Sequence, residues 1–282
     1  MFERISNGWN LTKQSFAVLR AEKSLLIFPF VSGLACLLVL ASFAAPLWMT
    51  GTIELLDEHG RLDIGPWGYA VMFAFYFCNY FVIVFFNSAL VACAVLRFGG
   101  DDPTPADGLR VALARLPQIV GWALVAASVG VLLRAIESRS EKFGSLVASL
   151  LGMAWSTVTY FVVPVIVVEK AGPISALERS TAILRKAWGE SLTANVGIGA
   201  ITSLLCIPAV LVIFAGAAVI SVGQVVLGGA IIGVGALAVL IVSLVSSAAS
   251  AIVLAALYLY GATDRVPDAF DPALLHNAFA PK

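Results

Sequence analysis

The sequence predicts an all-α polytopic membrane protein, six transmembrane helices with cytoplasmic amphipathic helices, arranged as three parallel helix-plus-hairpin repeats. Three observations carry this expectation. Apolar residues make up 60% of the chain and charged residues 12%, against roughly 45–50% and about 25% in soluble domains. Residues 191–263 hold no Asp, Glu, Lys, Arg or His, and at about 20 residues per crossing this stretch accommodates two spans. The basic residues, finally, gather on alternate connections. Basic and acidic residues balance at 17 each, so the chain lacks the basic footprint of a nucleic-acid binder.

The six apolar stretches are 24–48, 67–96, 117–134, 144–168, 192–221 and 225–260. Their length and lack of period-2 alternation favour helices over barrel strands, because only a backbone that satisfies its own hydrogen bonds crosses lipid. The first span follows a 23-residue segment in which Phe2, Ile5, Trp9, Phe16 and Leu19 recur every three or four residues, with Thr12 filling the remaining step. That spacing is an amphipathic helix suited to the headgroup layer. The first apolar run exceeds the about 7–15 residues of a signal-peptide core, so it is expected to stay in the protein as an anchor.

The second span carries Asn79 and Asn87, which are costly against lipid and are expected to face other helices or a solute path. Thr104-Pro105-Ala106-Asp107 supplies a helix N-cap, a proline at the first helical position and an acid at the positive helix end. Arg134 and Glu137 can pair across one turn at the end of the third span. Pro164 in the fourth span and Pro208 in the fifth each remove a backbone donor and favour a kink. Glu169, close in sequence to Lys170 and Arg179, is expected to form an ion pair or cap. In the sixth span Ser243, Ser247 and Ser250, with Ser246 beside them, form a polar stripe, and Gly229 and Gly233 are spaced for a close helix contact. Cys36, Cys78, Cys93 and Cys206 lie inside spans without CxxC spacing, which suggests buried packing and neither disulfide nor zinc.

Thirteen of the 17 Lys and Arg lie in the N-terminal segment, the second and fourth connections and the tail. Arg61, Arg134, Arg139 and Lys142 are the four on the odd connections. The positive-inside rule therefore puts both termini in the cytoplasm of a cell inner membrane. Residues 1–262 read as one transmembrane domain and 263–282 as a cytoplasmic tail.

An internal repeat precedes the odd-numbered spans. Ser15-Phe16-Ala17-Val18-Leu19-Arg20 matches Ser180-Thr181-Ala182-Ile183-Leu184-Arg185, and a fainter copy runs from Gly108 to Arg115. The units are approximately 1–98, 99–168 and 169–262. Trp9, Arg20, Glu169, Arg179 and Arg185 are the candidate contacts at the membrane interface. Asn79, Asn87, Ser243, Ser247 and Ser250 are the candidate polar contacts within it.

Asn7-Gly8-Trp9, Ser15-Phe16, Leu19-Arg20, Lys23 to Leu26 and Phe28-Pro29 resemble the start of a prokaryotic six-helix membrane family of unknown function, domain-of-unknown-function family 6159. Val163-Pro164-Val165 with Glu169, Ala176 to Ser180, and the tail from Phe270 through Phe279 to Lys282 are similar too. A more distant resemblance links the Pro, Glu and Arg-Ser pattern to YciC-like and glycerophosphodiesterase membrane-domain proteins. The resemblance implies a six-helix fold and supplies no activity.

No GxSxG, HExxH or GxxxxGK motif is present, and His59 and His276 fall on opposite sides of the membrane. Asp57, Glu58, His59 and Asp63 read as a solvated acidic loop rather than a metal cluster. No catalytic, cofactor or metal residue is therefore nominated. The expected function is a non-enzymatic accessory, scaffold or lipid-organising membrane component. Its expected partners are membrane lipids, with a membrane-protein partner or a homo-oligomer, and no nucleic acid. The alternative is a transporter or channel for a small or lipid-like solute.

Overall fold

The computed structural model describes residues 14–20, 22–49, 66–138 and 144–263. Trp9, His59, His276, the acidic loop 54–63 and the tail lie outside the described residues. A short helix α1 over 14–20 leads to a 3-10 turn at Lys23–Leu26 and then α2 (Ile27–Met49). There follow α3 (Pro66–Phe98), α4 (Pro105–Ala114), α5 (Leu116–Ser138), α6 (Gly144–Val158), α7 (Val162–Glu169), α8 (Pro173–Ser221) and α9 (Val225–Thr263). Six helical stretches are long and apolar enough to cross a membrane: Lys23–Pro46, Trp67–Phe98, Leu116–Glu137, Gly144–Glu169, Thr202–Ser221 and Val225–Thr263. The protein is an all-α bundle of six transmembrane helices.

Several helices outrun the membrane. At 1.5 Å per residue the 33 residues of α3 extend about 50 Å, the 39 of α9 about 58 Å and the 49 of α8 about 74 Å. The hydrocarbon layer is about 30 Å thick. The segment that opens α8 is thus continuous with the fifth span. Arg115 separates α4 from α5 by a single non-helical residue, whereas the 3-10 turn stands between α1 and α2.

The chain divides into two compact units. One comprises 1–29, 94–102 and 185–282, the other 30–93 and 103–184. In both, burial concentrates in the C-terminal halves of the even-numbered spans. Residues 88–94 of α3 are buried without interruption, as are Val162 and Pro164–Val167 of α7. In α9 the buried set runs from Ala248 through Tyr258 to Gly261. Elsewhere the spans expose large side chains, among them Leu37 and Leu38 of α2, Leu150 and Met153 of α6, and Phe214 of α8. In a bilayer these face hydrocarbon, where exposure of apolar surface has no hydrophobic cost.

The turns are set by glycine where the backbone requires it. Gly100 (φ 92) and Gly223 (φ 89) end α3 and α8 in the left-handed region. At each, one amide bonds back three residues and the next bonds back five, Asp101 N–H to Leu96 O at 3.2 Å and Gln224 N–H to Val219 O at 3.3 Å, which satisfies the last helical carbonyls.

The small residues that pack α8 against α9 differ from those expected. Gly229 and Gly233 are exposed, and a Cβ on either meets nothing within 4 Å. The contact instead uses Gly228 and Gly235 on α9 with Ala209 and Gly216 on α8, a seven-residue spacing on both helices. A Cβ on Gly216 would lie 2.8 Å from Gly228 O, and one on Gly228 would lie 2.6 Å from Gly216 O. The GxxxG spacing is correct for close packing, but Gly229 and Gly233 sit about 100° and about 140° around the helix from Gly228 on the face that is used. Pro208 lies inside α8, which is one helical stretch from Pro173 to Ser221. Of the cysteines, Cys93 is buried, and Cys36, Cys78 and Cys206 are partly exposed.

Gly216→Leu and Gly228→Leu are expected to destabilise the α8–α9 hairpin by at least about 1–3 kcal/mol, since backbone faces the new side chain. Gly229→Leu should leave the unfolding midpoint of the full-length protein in detergent unchanged. An equal loss at Gly229 would contradict the seven-residue packing.

Candidate functional site

The fourth span is built in two pieces, α6 and α7, separated by a turn at residues 159–161. Pro164 is the local cause. Its ring has no N–H to donate and crowds the carbonyl four residues earlier, so the disturbance falls in the preceding turn. Tyr160 N–H bonds to Thr157 O at 3.2 Å and Val162 N–H to Thr159 O at 3.0 Å, both three residues back instead of four. This tightening leaves Phe161 N–H and Val158 O without helical partners. Both are taken by one side chain: the Ser180 hydroxyl of α8 accepts from Phe161 N–H at 3.0 Å and donates to Val158 O at 2.7 Å. Ser180 is fully buried.

Below the turn, α7 is fixed at its C-terminal end. Arg179 Nε donates to Glu169 Oε1 at 2.9 Å and approaches Oε2 at 3.2 Å. Arg115 Nε reaches Val167 O at 3.4 Å, placing a cation at the negative end of the helix. Lys170 adopts φ 59 as the chain reverses into α8. Where α8 begins, Pro173 lies so close to α5 that a Cβ on Gly121 would be 2.8 Å from its Cγ. Trp122 of α5 stacks on Trp155 of α6 with ring centres 5.7 Å apart and planes 10° from parallel.

α4 is capped as its sequence requires. Thr104 is the N-cap and Pro105 the first helical residue. Asp107 Oδ2 accepts from Thr104 N–H at 3.0 Å and from the Thr104 hydroxyl at 2.6 Å. These bonds, the side-chain one foremost, hold the Asp107 carboxyl below the usual carboxylate range, with Arg110 nearby adding to the effect.

In the other unit, Arg97 at the end of α3 pairs with Glu22 at 3.4 Å and with Asp102. The 3-10 turn packs against α9. Arg20 and Arg185 are exposed. Thr202 of α8 hydrogen-bonds Ser246 of α9.

Asn79 is partly buried and donates to Phe75 O at 3.0 Å within its own helix. Asn87 is partly buried, as is Ser250, while Ser243 and Ser247 are exposed. The serine engaged across helices is their neighbour Ser246. Arg134 pairs with Glu137 at 2.7 Å. The Ser88 hydroxyl and the Gln118 side-chain oxygen are buried without a hydrogen-bond partner among the described residues. No group of three or more His, Cys, Asp or Glu suited to a metal ion occurs among the described residues. What residue-by-residue reading missed is the joint: Ser180 was legible as a repeat position and Pro164 as a kink, but nothing in the sequence joins them.

The chain belongs to a family of unknown function, DUF6159, which matches residues 67–267. That range takes in the second through sixth spans and therefore both the joint and Ser180. No curated protein matches the chain.

The capping bonds of Asp107 generate a pH dependence. A carboxyl whose folded pKa is lowered contributes its stability in full above the unfolded value of about 4, and loses it as pH falls through the folded value. The stability difference between the unaltered chain and Asp107→Asn should therefore be largest near neutral pH and shrink on acidification below about pH 4. A difference independent of pH in full-length unfolding measurements would remove the carboxylate from this role.

Proposed function

We propose that this protein is a non-enzymatic, multi-pass component of the cell inner membrane that acts at the cytoplasmic face through three short helical segments. These are α1, α4 and the opening turns of α8, each leading into an odd-numbered span. The observation that carries the reading is their matched burial. Along Ser15–Phe16–Ala17–Val18–Leu19–Arg20 the order is buried, half-buried, exposed, buried, buried, exposed. Along Ser180–Thr181–Ala182–Ile183–Leu184–Arg185 it is identical, and along Gly108 to Leu113 it differs at one position, where Val111 is half-buried. A sequence repeat that is also a burial repeat supports three parallel helix-plus-hairpin units, and each unit presents polar or basic surface beside the membrane. Arg20, Arg110 and Arg185 are exposed on these segments. Basic side chains at that level attract anionic headgroups by about 1 kcal/mol each. Accessory, scaffolding or lipid-organising action fits this surface.

The second reading, a carrier for a small or lipid-like solute, draws on the split fourth span, since broken helices commonly line substrate sites. Against it stands the use of the break. A substrate site leaves backbone groups open to the ligand, whereas here Ser180 takes both.

Three measurements separate these readings. Reporter fusions after residues 105, 172 and 282 are expected in the cytoplasm, and fusions after 60 and 140 outside it; the reverse pattern overturns the orientation. Full-length protein extracted from mixed phosphatidylglycerol and phosphatidylcholine membranes is expected to retain the anionic lipid in excess. The double substitution Arg20→Gln with Arg185→Gln should reduce that excess, and unchanged retention would sink the lipid-surface role. In reconstituted vesicles no solute or ion flux above background is expected. Reproducible flux abolished by Asn79→Leu favours the carrier.

A further inference from the structure

Exposure of apolar side chains is not spread evenly along the spans. Among the described residues the large apolar side chains that are exposed fall in 27–40, 67–83, 124–132, 146–153, 204–222 and 225–241, with Leu113 and Ile174 as the two exceptions. Trp67 to Ile83 and Val225 to Ile241 each cover about 26 Å at 1.5 Å per residue, close to the hydrocarbon thickness of about 30 Å. Past these bands the even-numbered spans stay apolar but are buried: residues 88–94 in α3, Val162 and Pro164–Val167 in α7, and Ala248 through Tyr258 to Gly261 in α9. Lipid does not require that burial, whereas water does. We propose that the surface in contact with acyl chains ends at Gly121 and the 159–161 turn in one unit, and between Ile241 and Ala248 of α9 in the other. The helix ends beyond it then stand in headgroups and water, with apolar cores of their own.

Charged side chains on the neighbouring helices place the boundary. In the unit that holds α4 to α7, α5 and the fourth span run side by side. They are joined by the Trp122–Trp155 stack, by Arg115 Nε to Val167 O at 3.4 Å, and by close approach at Gly144, where a Cβ would lie 2.7 Å from Glu137 O. Pro173 lies against Gly121, and Ser180 bonds both Val158 and Phe161. The opening turns of α8 are therefore held at the level of Gly121 and the 159–161 turn. If hydrocarbon reached to Leu116 and Glu169, that level would be about 8–16 Å inside it. Glu178 and Arg179 on these turns are exposed, and charge facing lipid at such depth is strongly disfavoured. With the boundary at that level, both side chains meet headgroups or water. α4 agrees: Cys93 Sγ lies 3.5 Å from Thr104 O, about 8 Å before the end of α3, and Arg110 within the next two turns is 81% exposed. The two exceptions, Leu113 just before α5 and Ile174 next to Pro173, sit beside the first turns of α5, at the boundary itself. In the other unit the 3-10 turn packs against α9. Lys23 is exposed where that turn begins and Ile27 just after it ends, so charged surface gives way to apolar surface within about one turn. This inference concerns where lipid contact stops and does not rest on the proposed action at the membrane face.

The test uses the full-length protein in phosphatidylglycerol and phosphatidylcholine vesicles with Cys36, Cys78, Cys93 and Cys206 replaced. Single spin labels are placed within the bands by Leu150→Cys and Leu237→Cys. They are placed outside them by Ala182→Cys, beside Ser180 on α8, and by Leu254→Cys on α9. Power saturation then compares collisions with oxygen, which concentrates in hydrocarbon, and with a neutral nickel chelate, which stays in water. The logarithm of the oxygen-to-nickel collision ratio is expected to be positive at 150 and 237 and negative at 182 and 254. Hydrocarbon contact running on to Glu169 or to Thr263 gives a positive value at 182 or at 254, and a positive value at either overturns the proposal, as does a negative value at 150 or 237. Should the labelled chains fail to fold, chains with native cysteines decide. Ala182→Lys should be recovered folded from membranes in the same amount as the unaltered chain, and Leu150→Lys in a reduced amount, since only the second sets a charge against acyl chains. Equal recovery of the two overturns the proposal.

Discussion

In hydrocarbon every backbone N–H and C=O must find its partner inside the protein, because no water stands ready to replace one that is lost. This constraint explains the helices, and it explains where departures from helix are tolerated. The turn at 159–161 lies within the fourth span, yet the two groups it frees are both met by Ser180. At the ends of α3 and α8 the same demand is met by glycines that fold the chain back on its last carbonyls. At the start of α4 it is met by Thr104 and Asp107. One requirement thus has three solutions: a distant hydroxyl where the chain must bend inside the bilayer, and local turns or caps where it leaves.

Packing within the membrane follows a second rule. Apolar surface gains little by leaving lipid for protein, so helices associate where they can approach closely or share a polar bond. α8 and α9 do both. Gly216 and Gly228 bring backbone against backbone, and further along the pair Thr202 meets Ser246. The large apolar side chains of this hairpin, Phe214 and Leu237 among them, remain exposed. The densest burial lies toward the C-terminal ends of the even-numbered spans, where small alanines of α9 alternate with Ile252, Leu257 and Tyr258.

Charge completes the arrangement at the membrane face. Arg115, Arg179 and Arg97 each tie a helix end to a neighbouring segment, by a carbonyl in the first case and by a carboxylate in the others. The Glu169–Arg179 pair is partly exposed, so its direct contribution is at most about 1 kcal/mol. Its importance is positional, because it fixes α7 beside the turns of α8 that carry Ser180. Arg20 and Arg185 remain turned outward at matched positions of two segments, where the proposed action on lipids or a partner finds its surface.

The sequence by itself determined the class, the six spans and most of the punctuation. Absence of charge over 191–263 leaves no solvent but lipid for two long helices, and Thr104-Pro105-Ala106-Asp107 specifies a helix start through bonds among its own neighbours. The close match between Ser15–Arg20 and Ser180–Arg185 was equally legible, since identity along a chain needs no third dimension. The tertiary structure alone decided which face of each helix is used. Gly229 and Gly233 have the right spacing, yet Gly228 and Gly235 make the contact, because the rotation of α9 is set by all its neighbours together. Ser246 is engaged where Ser243 and Ser247 are not, for the same reason. The bond from Ser180 to Val158 and Phe161 joins residues 22 and 19 positions apart. Local pattern announces the proline that bends the fourth span, but the hydroxyl that completes the bend comes from another helix, and only folding brings it there.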